Sequence, residues 1–80
     1  MLDKVCDIRR VGINTNGRVQ LDVKAIDNSF DWRWFVGSSA LTKEMLAVAL
    51  AALTAEKRVE ITVDDPPNPW AEVHAIFYVK

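Results

Sequence analysis

Val5-Cys6-Asp7-Ile8-Arg9-Arg10-Val11-Gly12-Ile13-Asn14 reads as a strand whose phase slips in the middle. Cys6 and Ile8 share one parity, whereas Val11 and Ile13 share the other. Side chains alternate between the faces of a strand, so an unbroken strand would turn one of these pairs to water. One extra residue near Arg9-Arg10, beside Gly12, restores both pairs to one face and bends the strand sharply. Thr15-Asn16-Gly17 then supplies turn chemistry, since Asn-Gly tolerates positive φ. Arg18 to Ile26 alternates cleanly, with Val19, Leu21 and Val23 opposite Arg18, Gln20, Asp22 and Lys24. The chain therefore opens with a bent β-hairpin.

Asp27-Asn28-Ser29 makes a second turn, and Asp31 to Val36 a third strand with Trp32, Trp34 and Val36 on one face. Gly37-Ser38-Ser39 ends it and offers a helix N-cap. Ala40 to about Glu56 contains neither Gly nor Pro and is rich in Ala and Leu, hence helical. Its apolar residues fill an arc of roughly 200°, against the roughly 100° stripe that a helix lying on one small sheet requires. Arg58 to Asp64 alternates again, Asp65-Pro66-Pro67-Asn68-Pro69 breaks the ladder, and Ala71 to Val79 is apolar on both sides. The order strand, strand, strand, helix, strand, strand is mainly β with one helix. It is the layout of the OB-fold, a five-stranded, partly open barrel.

Eighty residues make a single domain spanning 1–80. Cys6 is the only cysteine, so an internal disulfide is excluded, and with His74 as the only histidine a zinc cluster lacks ligands. No metal or other cofactor is implied, and with no nucleophile–base–acid set or phosphate loop, no catalytic residue is assigned. Ten basic against eleven acidic residues give a net charge of −1, which advertises no phosphate-seeking surface. The longest apolar run, Met45 to Leu53, is too short to span a bilayer. Met1-Leu2-Asp3-Lys4 carries no signal-peptide pattern, so the chain reads as cytoplasmic, or as secreted or periplasmic if a leader was removed.

The second half carries a resemblance. Ala40-Leu41-Thr42-Lys43-Glu44-Met45-Leu46-Ala47-Val48-Ala49-Leu50, then Leu53-Thr54-Ala55-Glu56-Lys57-Arg58-Val59-Glu60, closing on Ala75-Ile76-Phe77, resembles the cell-binding B subunits of bacterial AB-type toxins. Cholera-type subunits are similar in the helix, the basic turn and the following strand. Shiga- and subtilase-type subunits are similar in size, in the opening hairpin and in a Trp near the helix. The resemblance implies a homopentameric ring with paired edge strands, recognition of a cell-surface glycan and a partner A-type subunit. Two departures stand beside it: Cys6 has no mate for the disulfide of those proteins, and their sugar-contacting motifs have no counterpart here.

Trp70 lies in a Pro-braced loop with Asp64, Asp65 and Asn68, and Asn14, Thr15 and Asn16 make the partner loop after the first strand. An aromatic plate with carboxylates and amides suits a sugar, and these two loops are where OB-folds bind oligosaccharides and oligonucleotides. The plainer alternative folds Trp70 back over the barrel mouth. Trp32, Trp34, Leu46, Leu50, Ile76 and Tyr78 are the expected contacts between subunits. By parity, Trp32 and Trp34 are either core or an exposed ladder suited to stacking, depending on where Phe35 points. Arg9, Arg10, Arg18 and Arg33 suggest a basic stripe, but Asp3, Asp7, Asp22 and Asp31 interleave with them, so single-stranded nucleic acid is the least favoured ligand. The leading expectation is a non-catalytic binding module that assembles into a ring and binds glycans; the alternative is a structural or adaptor oligomer that binds another protein.

Overall fold

The computed structural model describes residues 1–79. Its strands are β1 (Leu2–Ile13), β2 (Val19–Ala25), β3 (Arg33–Gly37), β4 (Arg58–Val63) and β5 (Glu72–Val79), with helix α1 (Thr42–Ala55) between β3 and β4. They form a closed barrel in the order β1-β2-β3-β5-β4, with the strand order of an OB-fold. The expected slip in β1 is present as a register shift between Ile8 and Arg10, which leaves Arg9 as the extra residue. Leu2 to Cys6 pairs with β4, and Cys6 to Ile13 pairs with β2. Cys6 is thus the pivot, bonded into both ladders, and its side chain is fully buried. Burial pushes the thiol up to about 12, so it stays protonated and inert.

Strands β1, β2 and β4 turn Cys6, Val19, Leu21, Val23, Val59, Ile61 and Val63 into the core. Phe35 joins them from β3 and meets Phe30 edge to face at 5.3 Å between ring centroids. That settles the parity of β3: Phe35 is core, and Trp32 and Trp34 lie on the outer side. Strand β5 does not keep a single phase. A second register shift, between Thr62 and Val63, makes Val73 pair with Val63 and Ala75 with Thr62, so His74 is the extra residue. Val73 is buried, whereas Phe77 is 56% exposed, and Ile76 packs against the core from the other parity.

The helix begins with a 3-10 turn over Ser39–Leu41 instead of at Ala40 directly, and Ser38 Oγ accepts from the Ala40 amide. It ends at Glu56, whose left-handed φ of 57° lets its amide and that of Lys57 reach the last carbonyls. Only Met45, Ala49 and Ala52 are buried by the barrel. Leu46, Val48 and Leu53 are half-buried, and Leu50, Ala47 and Ala51 are exposed. The barrel therefore covers a much narrower stripe than the apolar arc of the sequence.

Closure of the barrel rests on a short seam. Strands β3 and β5 run parallel over two pairs, Val36 with Glu72 and Gly37 with Val73. Arg18 braces this seam by donating from Nη2 to the Gly37 carbonyl at 2.7 Å and to Glu72 at 3.2 Å. Gly37 has to be small: a Cβ there would lie 3.0 Å from Met45 Sδ and 3.3 Å from Val19 Cβ. Met45 can swing aside, but Val19 is held in its strand. Gly37→Ala is expected to cost about 1 kcal/mol, at the low end for overpacking, read as a lower urea midpoint with an unchanged slope.

Candidate ligand-binding face

The outer side of β1, β2 and β3 carries Arg10, Asp22 and Trp34 in register across the three strands. Asp22 is the one buried polar residue of the described chain, at 1% exposure. A lone carboxylate taken out of water costs several kcal/mol, so it has to be paired and hydrogen-bonded. The bulge makes this possible. With Arg9 inserted, Arg9 and Arg10 both reach the outer side, and the Nε of each donates to Asp22 Oδ2 at 2.9 Å. Both Nη2 atoms stand at 2.9 Å from the same oxygen. The guanidiniums themselves stay about half exposed, so their own desolvation is modest.

Held this way, each guanidinium lies over an indole. Arg9 Cζ is 4.4 Å from the Trp32 ring centroid, and Arg10 Cζ is 4.9 Å from that of Trp34. Such contacts contribute about 0.5–1 kcal/mol each at exposed sites. Trp34 is also stacked by Trp70, with centroids 6.1 Å apart and planes within 11° of parallel. Trp70 reaches it from the β4–β5 loop with a left-handed φ of 68° and donates its amide to the Trp34 carbonyl at 2.8 Å. Arg33 ties the same loop to β3 by donating to the Pro67 carbonyl at 2.5 Å while it covers Phe30. The result is a continuous strip: Trp70, Trp34, Arg10, Asp22, Arg9, Trp32. Beyond Trp32 lies an open groove of about 780 Å³ that also touches Ile8, Ile26, Leu53, Glu56 and Arg58.

The residues expected from sequence fall into three groups. Trp70 neither caps the barrel mouth nor stands alone; it is 54% exposed and lies flat on Trp34. Asp65 and Asn68 are exposed in its loop. Asp64, by contrast, lies 2.6 Å from His74 Nε2, and that hydrogen bond holds its carboxyl below the usual range. Glu72 stands 3.2 Å from His74 Nδ1 on the other side of the ring. Asn14 serves its own turn, with Oδ1 accepting from the amides of Asn16 and Arg18. Of the expected subunit contacts, Trp32 and Trp34 belong to the strip, while Leu46 and Ile76 are half-buried against the core. Leu50 and Tyr78 are exposed.

The structure also changes the charge argument. Asp3 accepts from Thr62 Oγ1 of β4, and Asp7, which lines the groove beside Trp32, accepts from Arg58 Nε. Asp31 accepts from the Trp32 amide. Asp22 is enclosed by the two arginines, so the clamp carries two positive charges against one negative. In sequence the arginines and the tryptophans lie apart; the residue that joins them, Asp22, occupies an ordinary outward position of an alternating strand.

Among the described residues no three His, Cys, Asp or Glu gather as a metal site, and no helix is long and apolar enough to cross a membrane. No family model, curated protein or solved structure matches the chain. Asp22→Asn keeps the shape but removes the charge that gathers four N–H groups. It is expected to lower stability by about 1.5–3 kcal/mol, the range for hydrogen bonds to a charged group. The check is a urea titration followed by tryptophan fluorescence, with a red-shifted native spectrum as the arginines leave the indoles.

Proposed function

We propose that this protein is a non-catalytic binding module that holds its ligand on the outer face of β1, β2 and β3 and associates with copies of itself. The observation that carries the reading is the gathering of Trp32, Trp34 and Trp70, from two separate segments, on one outer face. Barrels of this topology take ligands on the β2–β3 face and the adjoining loops. The ligand has flat faces that stack on Trp70. A glycan ring has such faces, and Asp65 and Asn68 in the same loop are available for its hydroxyls. A nucleobase has them too, and the arginines of the strip favour that second reading.

The ring expected from the resemblance to toxin B subunits belongs to the same proposal. It is supported by Leu50, Ala47 and Ala51 on the uncovered side of α1, and by Phe77 and Tyr78 exposed on β5. Beyond Val73, β5 has no β3 partner, so its outer edge is available to another strand.

Each half of the proposal has its own test. Trp70→Ala is expected to weaken binding to a glycan array or to immobilised oligonucleotide by about tenfold while shifting the melting temperature by only a few degrees, because the ring is half exposed. A loss of about 3–5 kcal/mol, as for a buried large aromatic, would assign Trp70 to the fold alone. Leu50 is 44% exposed in the single chain, so Leu50→Asp leaves the barrel core untouched. It is expected to reduce the mass seen by light scattering from an oligomer, with five copies as the best expectation, to the 9.0 kDa monomer. A wild-type protein that is already 9.0 kDa at micromolar concentration would refute self-association.

A further inference from the structure

We infer that the ligand of the tryptophan–arginine strip is single-stranded nucleic acid, with bases stacked on Trp70 and phosphates held by Arg9 and Arg10. The inference rests on the binding-face reading above and names the ligand class for it.

Charge is the first argument. Asp22 engages the Nε and Nη2 edge of both arginines, which leaves each Nη1 directed away from the carboxylate. The side chains of Arg9 and Arg10 are 48% and 59% exposed. A guanidinium held at a fixed angle with its outer nitrogen free is suited to a phosphate oxygen. Asp22 thereby acts as a positioning residue, fixing two cations that would otherwise wander on long side chains.

The second argument is the alternation of flat apolar and cationic groups along the strip. Trp70 and Trp34 are followed by Arg10, and Arg9 is followed by Trp32, with ring and guanidinium centres 4.4–6.1 Å apart. A single strand alternates bases and phosphates, and its recognition combines stacking with a cationic track. Guanidinium planes themselves also accept stacked bases. A neutral sugar matches the strip less well. Its hydroxyls need acceptors as well as donors, and arginine supplies donors only. Of the carboxylates and amides suited to this, Asp22 is engaged by the arginines, Asp64 by His74 and Asn14 by its turn, which leaves Asp65 and Asn68. The net charge of −1 is no obstacle, because Asp7, the acidic neighbour on the Trp32 groove, is paired with Arg58, and Asp3 lies further along β1 beside Thr62.

Fluorescence anisotropy with a labelled 15-nucleotide oligothymidylate tests the inference directly. The single strand is expected to bind, and the duplex of the same length to bind at least tenfold more weakly because its bases are not free to stack. Two or three phosphate contacts predict roughly a tenfold loss of affinity between 50 and 200 mM salt. Trp70→Ala should lose about tenfold, and Trp70→Phe should recover most of it. Arg10→Gln should flatten the salt dependence by roughly one phosphate contact, whereas Arg10→Lys retains it. Thermal melts of each variant separate these effects from unfolding.

Equal binding of single strand and duplex, or binding indifferent to Trp70, would overturn the inference. Trp70-dependent binding to an oligosaccharide library with none to the oligonucleotide would overturn the ligand class and leave the face intact. Failure of both probes to bind would overturn the inference and the binding-face reading together.

Discussion

The extra residue in β1 is the constraint on which the rest of the structure depends. One strand must serve as neighbour to β4 with its first half and to β2 with its second, and a regular strand of twelve residues cannot turn between them. Inserting Arg9 bends the strand and restores Ile8 and Val11 to the core side. The same insertion puts two consecutive arginines on the outer side, where regular alternation allows one. Barrel closure and the cationic face therefore have a common origin. Loss of the bulge would unmake both.

Asp22 shows how a charged group is accommodated at almost no exposure. Its two partners supply the hydrogen bonds and opposite charge that a buried carboxylate requires, while remaining half in water themselves. The indoles beneath the guanidiniums then exclude solvent from one side of each. Polar, cationic and aromatic groups thus form one unit, and none of them would hold its place alone. This is how groups from three strands and from the β2–β3 and β4–β5 loops come to form a single strip.

Most of the architecture was legible from periodicity. The β1 slip, the two turns, the Pro-rich break and the excess apolar surface of α1 all have local signatures, because each follows from alternation, turn chemistry or helical spacing. What was not legible depends on which strands become neighbours. The parity of β3 was ambiguous because aromatics occupy both sides, and only packing with Phe30 selects Phe35 for the core. The phase of β5 was not legible because the extra residue, His74, is flanked by apolar residues that fit either register. Trp70 and Trp34 are far apart in the chain, and nothing local announces that they stack.

The long reach of β1 also bears on how the protein comes to fold. Leu2 finds its partner at Val63, beyond the second and third strands and the helix. Of the barrel's strands, the first to be synthesised is therefore among the last to be completed, since its N-terminal half has no ladder until β4 emerges. Closing so large a loop before any contact rewards it makes for slow folding. Until then the hairpin of β1 and β2 stands with one edge bare, and the charged residues spaced along β1, Asp3, Lys4, Asp7, Arg9 and Arg10, keep that edge from pairing with another nascent chain.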